Sequence, residues 1–359
     1  MIENNADCFA ELGDGVFDSE VVKALTDSSK YFSAVIGNIL ESPEEKGRIR
    51  HCHGDLHLRN IVLIENTPTL FDGIEFNPDL AEIDVLYDLA FLLMDLDHRQ
   101  LGSLANLTFN RYLDLTENTA GIACLPLYIS VRAAVRAHVS AAMAKQQKSA
   151  DQKQTLIEEA QAYLKKALSY LEIPAPGLVA IGGLSGSGKS RLAQALAPRL
   201  GAVPGARVAR SDVLRKRMAG VSIYEKLQAQ NYSSEMTQKT YDRVLQECET
   251  SLKAGYWAIA DAVFARPDQR SAIENVAENM NIPFYGLWLD APEPVLKSRV
   301  DARREDASDA DVNVVDQQMG YELGAISWRR INSGESMKKT IESAMLCLNG
   351  FSSPAAGKD

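Results

Sequence analysis

The chain has 359 residues, which is enough for two domains that each bury a core of their own. Its composition, with 46% hydrophobic and 24% charged residues, is typical of a soluble globular protein. The net charge of −10 excludes a chain-wide basic surface of the kind that attracts nucleic acid or anionic membranes.

The pattern of cysteines and the length of the apolar runs indicate in which cellular compartment the protein is expected. Five scattered cysteines without a Cys-x-x-Cys pair predict reduced thiols, and neither a zinc site nor a disulfide framework. No run approaches the roughly 18 to 20 apolar residues of a membrane span, and the N-terminus MIENNADCFAELGDG lacks the basic-then-apolar order of a signal peptide. We therefore expect a cytoplasmic protein without a membrane partner, whose oligomeric state the sequence leaves open.

In chain order, residues 18–41 have a helical pattern, residues from about 50 to 76 predict a strand–loop–strand unit, and helices follow. From about Leu125 to Leu171 the spacing of apolar residues predicts two helices broken near 148–151. The stretch 172-EIPAPG-177 contains two prolines and a glycine, and it predicts the boundary between two domains.

Beyond this boundary, apolar runs alternate with helical patterns. The predicted strands are 178-LVAIGG-183, 206-ARVARS-211, 257-WAIADAVF-264 and 283-PFYGLWLDA-291. Such alternation predicts an α/β fold in which right-handed crossovers build a parallel sheet with helices on both faces. We expect the small, polar residues 350–359 to form a disordered tail.

A phosphate-binding loop is the strongest motif of the second half. The stretch 183-GLSGSGKS-190 follows the pattern G-x-x-x-x-G-K-[ST] (Walker A) between a predicted strand and a predicted helix. Its glycines permit positive φ, so that backbone N–H groups surround phosphate oxygens, and the helix adds its positive end. In such a loop Lys189 reaches the β- and γ-phosphates of ATP, and the Ser190 hydroxyl binds Mg²⁺. The alternative is a glycine-rich turn without a ligand. The predicted cofactor-binding residues are Gly183, Leu184, Ser185, Gly186, Ser187, Gly188, Lys189, Ser190, Arg191, Arg299 and Arg303.

Two aspartates follow predicted strands of the same sheet. Asp212, in 210-RSDVLRKR-217, lies at the carboxyl edge, where it could accept the proton of an attacking hydroxyl, and Arg215 could hold a phosphate one turn later. Asp261 emerges at the tip of the next strand, where it could bind Mg²⁺ through water or orient the acceptor. The alternatives are a helix N-cap for Asp212 and a structural turn role for Asp261.

Arginines cluster after the fourth strand. Arg299, Arg303 and Arg304 precede an acidic stretch that ends near 319. A mobile lid with arginines suits phosphoryl transfer, because it excludes water and neutralises developing charge. The alternative is a solvated charged helix.

Together, GLSGSGKS, SDVLR, IADAVF and RVDARREDASDAD resemble the small P-loop kinases of the polynucleotide kinase, gluconate kinase and chloramphenicol phosphotransferase type, over about residues 177–348. The resemblance implies that Asp212 serves as or near the general base, that Arg215 contacts phosphate, and that Arg299 and Arg303 approach the nucleotide. It implies ATP-dependent phosphorylation of a small hydroxylated acceptor, whose identity stays open. A non-catalytic or slowly hydrolysing ATP-binding regulatory module is the alternative. A third alternative is a polynucleotide 5′-hydroxyl kinase, which the excess of acidic over basic residues makes less favoured.

A second motif lies in the first half. The stretch 51-HCHGDLHLRN-60 fits H-x-D-x-x-x-x-N, in which Asp55 faces a substrate hydroxyl and Asn60 faces Mg²⁺. Asp72 follows at a predicted turn, placed like the metal-binding aspartate of kinases; His53 would brace the loop, and Asp88 would anchor it. The alternative is a hydrogen-bonded loop with Asp and Asn caps. Over the whole chain, the predicted catalytic residues are Asp212, Lys189, Arg215 and Asp55, and the predicted metal ligands are Ser190, Asp261, Asn60 and Asp72.

These residues resemble the mostly helical C-terminal lobe of aminoglycoside phosphotransferase and choline-kinase-like enzymes, over about residues 15–145. The order of the two parts is similar to bacterial fusions of an aminoglycoside phosphotransferase-like domain with an AAA-type ATP-binding domain. The resemblance implies domains at 1–173 and 174–349, before the tail at 350–359. Only some 50 residues precede the loop, without the β lobe whose lysine grips the nucleotide. We therefore expect low or no transferase activity from this lobe, and a chain that begins at an internal methionine of a longer ancestor.

Overall fold

Helices dominate the first half of the chain, and a parallel sheet organises the second half. The computed structural model describes residues 1–12, 15–74, 81–303 and 306–349. Contacts divide these residues into two units. The first comprises the described parts of Met1–Phe109, Ala120–Pro174 and Ala202–Pro204, and the second comprises Asn110–Thr119, Ala175–Gly201 and the described residues from Gly205 onward.

The helices of the first half confirm the predicted helical patterns. They are α1 (Ile2–Leu12), α2 (Ser19–Val35), α3 (Gly37–Leu40), α4 (Pro43–Lys46), α5 (Val85–His98), α6 (Gly102–Thr116), α7 (Leu125–Gln146) and α8 (Ala150–Ser169). The predicted break between the last two is confirmed. At this break the side chain of Ser149 caps α8 by accepting a hydrogen bond from the Gln152 amide.

Two short antiparallel pairs of strands carry the loops of the first unit. Strand β1 (Ile49–His51) pairs with β4 (Glu82–Asp84), and β2 (Ile61–Ile64) pairs with β3 (Thr67–Leu70). The predicted strand–loop–strand unit is thus confirmed as far as residue 74, and its last two residues lie outside the described ranges.

The long helix α7 corrects one expectation. The stretch Gly121–Gln146 is long and apolar enough to cross a membrane by length and composition, contrary to the expectation that no run approaches a span. However, 67% of its apolar window is buried inside the protein. A buried core helix passes the same test, and α7 packs in this way against α5 and α8.

The second unit contains a five-stranded sheet in which all neighbouring strands run parallel, in the order β6-β7-β5-β8-β9. Its strands are β5 (Leu178–Gly182), β6 (Arg207–Arg210), β7 (Ala258–Asp261), β8 (Phe284–Asp290) and β9 (Arg329–Asn332). Its helices are α9 (Lys189–Leu196), α10 (Ser211–Met218), α11 (Ser234–Lys253), α12 (Pro267–Met280), α13 (Glu293–Asp301), α14 (Val312–Met319) and α15 (Met337–Asn349). The four predicted strands are confirmed, and β9 is an additional edge strand.

Successive side chains of the central strand, β5, point to opposite faces of the sheet, so that each face has its own hydrophobic core. Leu178 and Ala180 of β5 pack into one hydrophobic cluster, and Val179 and Ile181 pack into another. Every residue of β5 is buried. The predicted α/β fold with a covered parallel sheet is thus confirmed, whereas the kinase-like lobe in the first unit stays a prediction. The predicted tail lies outside the described residues.

Candidate functional site

The phosphate-binding loop connects β5 to α9, as predicted. Gly183, Gly186 and Gly188 have φ values of +140°, +84° and +96°, which side-chain-bearing residues rarely adopt. At Gly186 a Cβ atom would lie 2.5 Å from the carbonyl oxygen of Leu296 in α13. The glycines therefore permit both the curvature of the loop and its close contact with α13.

Lys189 is the first residue of α9, and its side chain folds over the loop. Its ammonium donates hydrogen bonds to the carbonyls of Gly183 (2.8 Å) and Leu184 (3.1 Å). Burial lowers the pKa of Lys189, and the nearby carboxylates of Asp261 and Asp212 oppose this effect. The ammonium thus lies against the backbone oxygens of the loop, within electrostatic reach of two carboxylates.

Asp261 ends β7 beside this lysine. Its side chain is buried, and burial raises its pKa against the opposing effects of Arg210, Lys189 and a hydrogen bond with the Ser190 hydroxyl. Its Oδ2 atom has no hydrogen-bond partner among the described residues. A carboxylate and a hydroxyl are oxygen donors of the kind that Mg²⁺ prefers. These two predicted metal ligands, Ser190 and Asp261, therefore lie together and fit the ion.

Asp212 lies in the first turn of α10, whose N-cap residue is Arg210, so the alternative of an N-cap role for Asp212 is wrong. Its carboxylate is half-buried and forms no hydrogen bond or ion pair with the described residues. Its charge acts on Lys189 and Tyr232. The Asp212 carboxylate thus lies on the helix that follows β6, within electrostatic reach of the loop lysine.

Arg215 is directed at the segment that follows α10. The guanidinium donates to the backbone oxygen of Asn231 at 2.8 Å and lies 5.1 Å from the ring centre of Tyr232. Burial lowers the pKa of Arg215, while Asp212 raises it. Its predicted contact with phosphate stays a prediction.

The predicted lid arginines lie at the end of α13. Arg299 contacts the loop through the backbone oxygen of Gly186 (3.5 Å) and also donates to the backbone oxygen of Glu335 (3.2 Å). The Nε of Arg303 lies 3.8 Å from Oδ2 of Asp306. Arg304 lies outside the described residues, and mobility of the lid stays a prediction.

Sequence reasoning missed two residues at this site. The side chain of Gln318 in α14 accepts a hydrogen bond from the Ser185 amide at 2.8 Å and so occupies a backbone donor of the loop. Arg210, the last residue of β6, pairs with Asp261 and with Asp306. Arg210 lies in the same stretch as the predicted catalytic residue Asp212, but the two partners of Arg210 are 51 and 96 residues away along the chain.

The first unit builds the predicted Asp55 loop. Asn60 donates to the side-chain oxygen Oδ2 and to the backbone oxygen of Asp55, both at 3.0 Å. A hydrogen bond from His57 lowers the pKa of Asp55, against the effect of burial. The loop thus favours the ionised form of Asp55, whose side chain is 38% exposed.

Asp88 anchors this loop from α5. Its carboxylate accepts hydrogen bonds from the backbone amides of His53 (3.1 Å) and Gly54 (3.0 Å), which confirms the anchoring contact predicted for it. The His53 ring lies 2.9 Å from the backbone oxygen of Phe71, so it braces the segment that leads to Asp72.

Asp72 itself is exposed, with a φ of +60°. The backbone places it near the loop, because the amide of Phe71 donates to the backbone oxygen of Asn60. Within the described ranges no group of three or more His, Cys, Asp or Glu side chains is arranged to hold a metal. The roles of Asn60 and Asp72 as metal ligands stay predictions.

A cavity of about 790 Å³ also lies in the first unit. Apolar side chains such as Ile49 and Leu127 line much of it, together with the hydrogen-bonded pair of Asp84 and Tyr128. None of the predicted site residues lines this cavity, so it is separate from the Asp55 loop.

Known proteins are similar to both parts of the chain. A family model described as an AAA domain matches residues 178–322. Uncharacterized proteins of Mycobacterium tuberculosis and Mycobacterium bovis are 27% identical over 304 residues, which cover 84% of this chain and 59% of each relative. The chain therefore spans about three-fifths of the length of the curated relatives it matches.

Solved structures of two kinases are among those similar to about half of the chain. A gluconokinase from Sinorhizobium meliloti is 17% identical with a TM-score of 0.36, covering 49% of this chain and 93% of its own. The Mycobacterium tuberculosis APS kinase CysC in complex with AMPPNP and APS is 18% identical with a TM-score of 0.33, covering 50% and 99%.

The region matched by the family model, residues 178–322, contains the loop with positive φ at Gly183, Gly186 and Gly188. The match does not reach most of the first unit. The resemblance of that unit to aminoglycoside phosphotransferases stays a prediction.

Proposed function

We propose that the second unit is an ATP-dependent phosphotransferase that acts on a hydroxyl of a small molecule. One observation carries the proposal: the half-buried carboxylate of Asp212 has no partner among the described residues, yet its charge acts on Lys189 of the phosphate-binding loop. ATP binding alone needs no such carboxylate, whereas a hydroxyl acceptor needs a proton acceptor beside the transferring phosphoryl group.

The chemistry follows from these positions. The Lys189 ammonium and the backbone amides of the loop bind the β- and γ-phosphates. Asp212 accepts the proton of the acceptor hydroxyl while the acceptor oxygen forms a bond to the γ-phosphorus, and the bond from that phosphorus to the bridging oxygen breaks to release ADP. Ser190 and Asp261 would hold Mg²⁺, which neutralises phosphate charge when bound. Arg215, Arg299 and Arg303 supply further positive charge around the transferring group.

An acceptor screen tests the proposal. Release of ADP is measured for the wild type across a panel of alcohols, sugars and nucleosides, with Lys189→Met as the nucleotide-binding control. We expect at least one acceptor to stimulate ADP release. We also expect Asp212→Asn to lower the stimulated rate by about 10²- to 10⁴-fold, with nucleotide affinity nearly unchanged.

The same screen addresses the alternative of a regulatory ATP-binding module. Basal hydrolysis that no acceptor stimulates, and that Asp212→Asn leaves unchanged, would contradict the phosphotransferase and support the regulatory module.

For the first unit, we propose an incomplete phosphotransferase-like site with low or no activity. Asp55 and Asn60 are held in a hydrogen-bonded loop, while Asp72 is an exposed side chain without a partner among the described residues. The variant Lys189→Met/Asp212→Asn isolates this site, and we expect its Mg²⁺-dependent phosphorylation of any acceptor to be negligible. Activity that survives in this variant and disappears with Asp55→Asn would show that the proposal is wrong.

A further inference from the structure

Arg210 lies between two carboxylates at the carboxyl edge of the sheet. It pairs in register with Asp261 of β7, and its Nε atom lies 3.7 Å from Oδ2 of that aspartate. On its other side, the guanidinium forms one hydrogen-bonded ion pair with Asp306, in the segment between α13 and α14. Only 16% of the arginine side chain is exposed.

The contact between Arg210 and Asp261 leaves both atoms unsatisfied. A distance of 3.7 Å is too long for a hydrogen bond. Accordingly, Nε of Arg210 and Oδ2 of Asp261 are buried atoms without a hydrogen-bond partner among the described residues. Buried polar groups are rarely left in this state, so each such pair calls for a ligand or another explanation.

The two unsatisfied atoms are complementary to one ligand. A buried N–H donor is satisfied by an anionic oxygen, and a buried carboxylate oxygen is satisfied by a cation. A phosphoryl group with its metal ion carries both. The charges of Arg210 and Asp261 also act on the loop lysine, Lys189, so this pair lies within electrostatic reach of the phosphate-binding loop.

We propose that Arg210 binds the transferring phosphoryl group, with Asp306 as the positioning residue that fixes the far end of its guanidinium. This inference rests on the proposed phosphotransferase function and adds a residue to its machinery. The guanidinium is attached to a strand of the sheet rather than to a long loop, so it would neutralise developing charge without a large rearrangement.

Nucleotide binding without turnover tests this role. The affinity for Mg²⁺–mant-ADP is measured with and without aluminium fluoride, which together with ADP mimics the transferring phosphoryl group. We expect aluminium fluoride to tighten binding in the wild type. In Arg210→Met we expect this tightening to fall on the order of 10- to 100-fold, because one charge-assisted hydrogen bond is lost. The affinity of this variant for Mg²⁺–mant-ADP alone should stay within about 3-fold of the wild-type value.

Three further variants complete the design. Arg210→Lys keeps the charge but loses the planar fork, and Asp306→Asn keeps Arg210 but loses its anchor, so each should lose part of the tightening. Arg329→Met removes an exposed arginine at the first residue of β9 and should behave as the wild type. If Arg210→Met does not fold, the lysine and asparagine variants decide the outcome.

Two results would overturn the inference while leaving the proposed function intact. Tightening that is undiminished in the Arg210 variants shows that the guanidinium does not bind the phosphoryl group. An equal loss of affinity with and without aluminium fluoride shows a merely structural role. A wild type that binds Mg²⁺–mant-ADP without any tightening contradicts the phosphotransferase itself, and this inference with it.

Discussion

Replacing Gly186 by alanine should separate the phosphate-binding loop from α13. A Cβ atom at this position would lie 2.5 Å from the carbonyl oxygen and 3.0 Å from the carbonyl carbon of Leu296. Both are backbone atoms of a helix, so neither can rotate away as a flexible side chain can. Either the loop or the helix must move.

Gly188 is a matched control in the same loop. Its φ of +96° is as unfavourable for alanine as the +84° of Gly186, but a Cβ atom there meets only the flexible end of Met337 at 3.3 Å. The positive φ costs about 1–2 kcal/mol in each variant. The clash adds about 1–3 kcal/mol, the usual range for overpacking, in Gly186→Ala alone. We therefore expect Gly186→Ala to lower the free energy of unfolding by about 2–5 kcal/mol and Gly188→Ala by about 1–2 kcal/mol.

Urea unfolding followed by tryptophan fluorescence measures this difference. The three tryptophans of the chain, Trp257, Trp288 and Trp328, all belong to the second unit, so the signal reports on that unit alone. If the two alanine variants unfold with equal free energies, the close contact between the loop and α13 does not exist in solution, and the reasoning is wrong.

Three further predictions concern buried charge and the first-unit loop. Glu247→Gln should destabilise the second unit by about 3–5 kcal/mol, because the buried carboxylate pairs with three arginines. The control Glu249→Gln, at a side chain that is 47% exposed and pairs with Lys253, should cost under about 1 kcal/mol in urea unfolding. Asp88→Asn should speed amide hydrogen exchange at residues 53–54, since the carboxylate accepts both amides; unchanged exchange would contradict the anchoring role. His57→Gln should raise the pKa of Asp55 in a carbon-13 carboxyl titration. The folded-state pKa of Asp55 is lowered, so the ionised carboxylate stabilises the fold above the unfolded-state pKa of about 3.9, and this stabilisation is lost as pH falls through the folded-state pKa. A titration that the His57 variant leaves unshifted would show that His57 does not hold the carboxylate.

Local signals explain which parts of the fold could be predicted. The strand β5 is buried along its whole length, so it has the continuous apolar run expected of a central parallel strand. The loop that follows needs positive φ at three positions, and its sequence supplies glycine at each. Both features depend on neighbouring residues alone, and for this reason the sequence predicts them.

The edge strand β9 could not be predicted in this way. Its sequence, RRIN, has one buried residue, Ile331, between exposed polar ones. It becomes a strand because the adjacent edge of β8 offers hydrogen-bonding groups along Leu287–Asp290. Such pairing depends on tertiary structure, which overrides weak strand propensity.

At the candidate site too, the sequence predicts positions that depend on a local motif but not contacts between residues far apart along the chain. The residues that a motif places, such as Lys189 and Ser190, lie where the sequence predicts them. Arg210 depends on Asp261 and Asp306, and no spacing rule connects residues so distant along the chain. The alternative of an N-cap role for Asp212 was wrong because α10 begins at Ser211, two residues earlier than an N-cap at Asp212 requires, within the usual uncertainty of helix ends.

Equilibrium binding of a non-hydrolysable ATP analogue with Mg²⁺ tests the central claim most directly, because it shows which unit holds the nucleotide. The wild type, Lys189→Met and Asp72→Asn are compared by titration calorimetry. The account predicts one equivalent of nucleotide in the wild type, an unchanged equivalent in Asp72→Asn, and loss of binding by at least about 10-fold in Lys189→Met. Binding that survives in Lys189→Met and disappears in Asp72→Asn would contradict it.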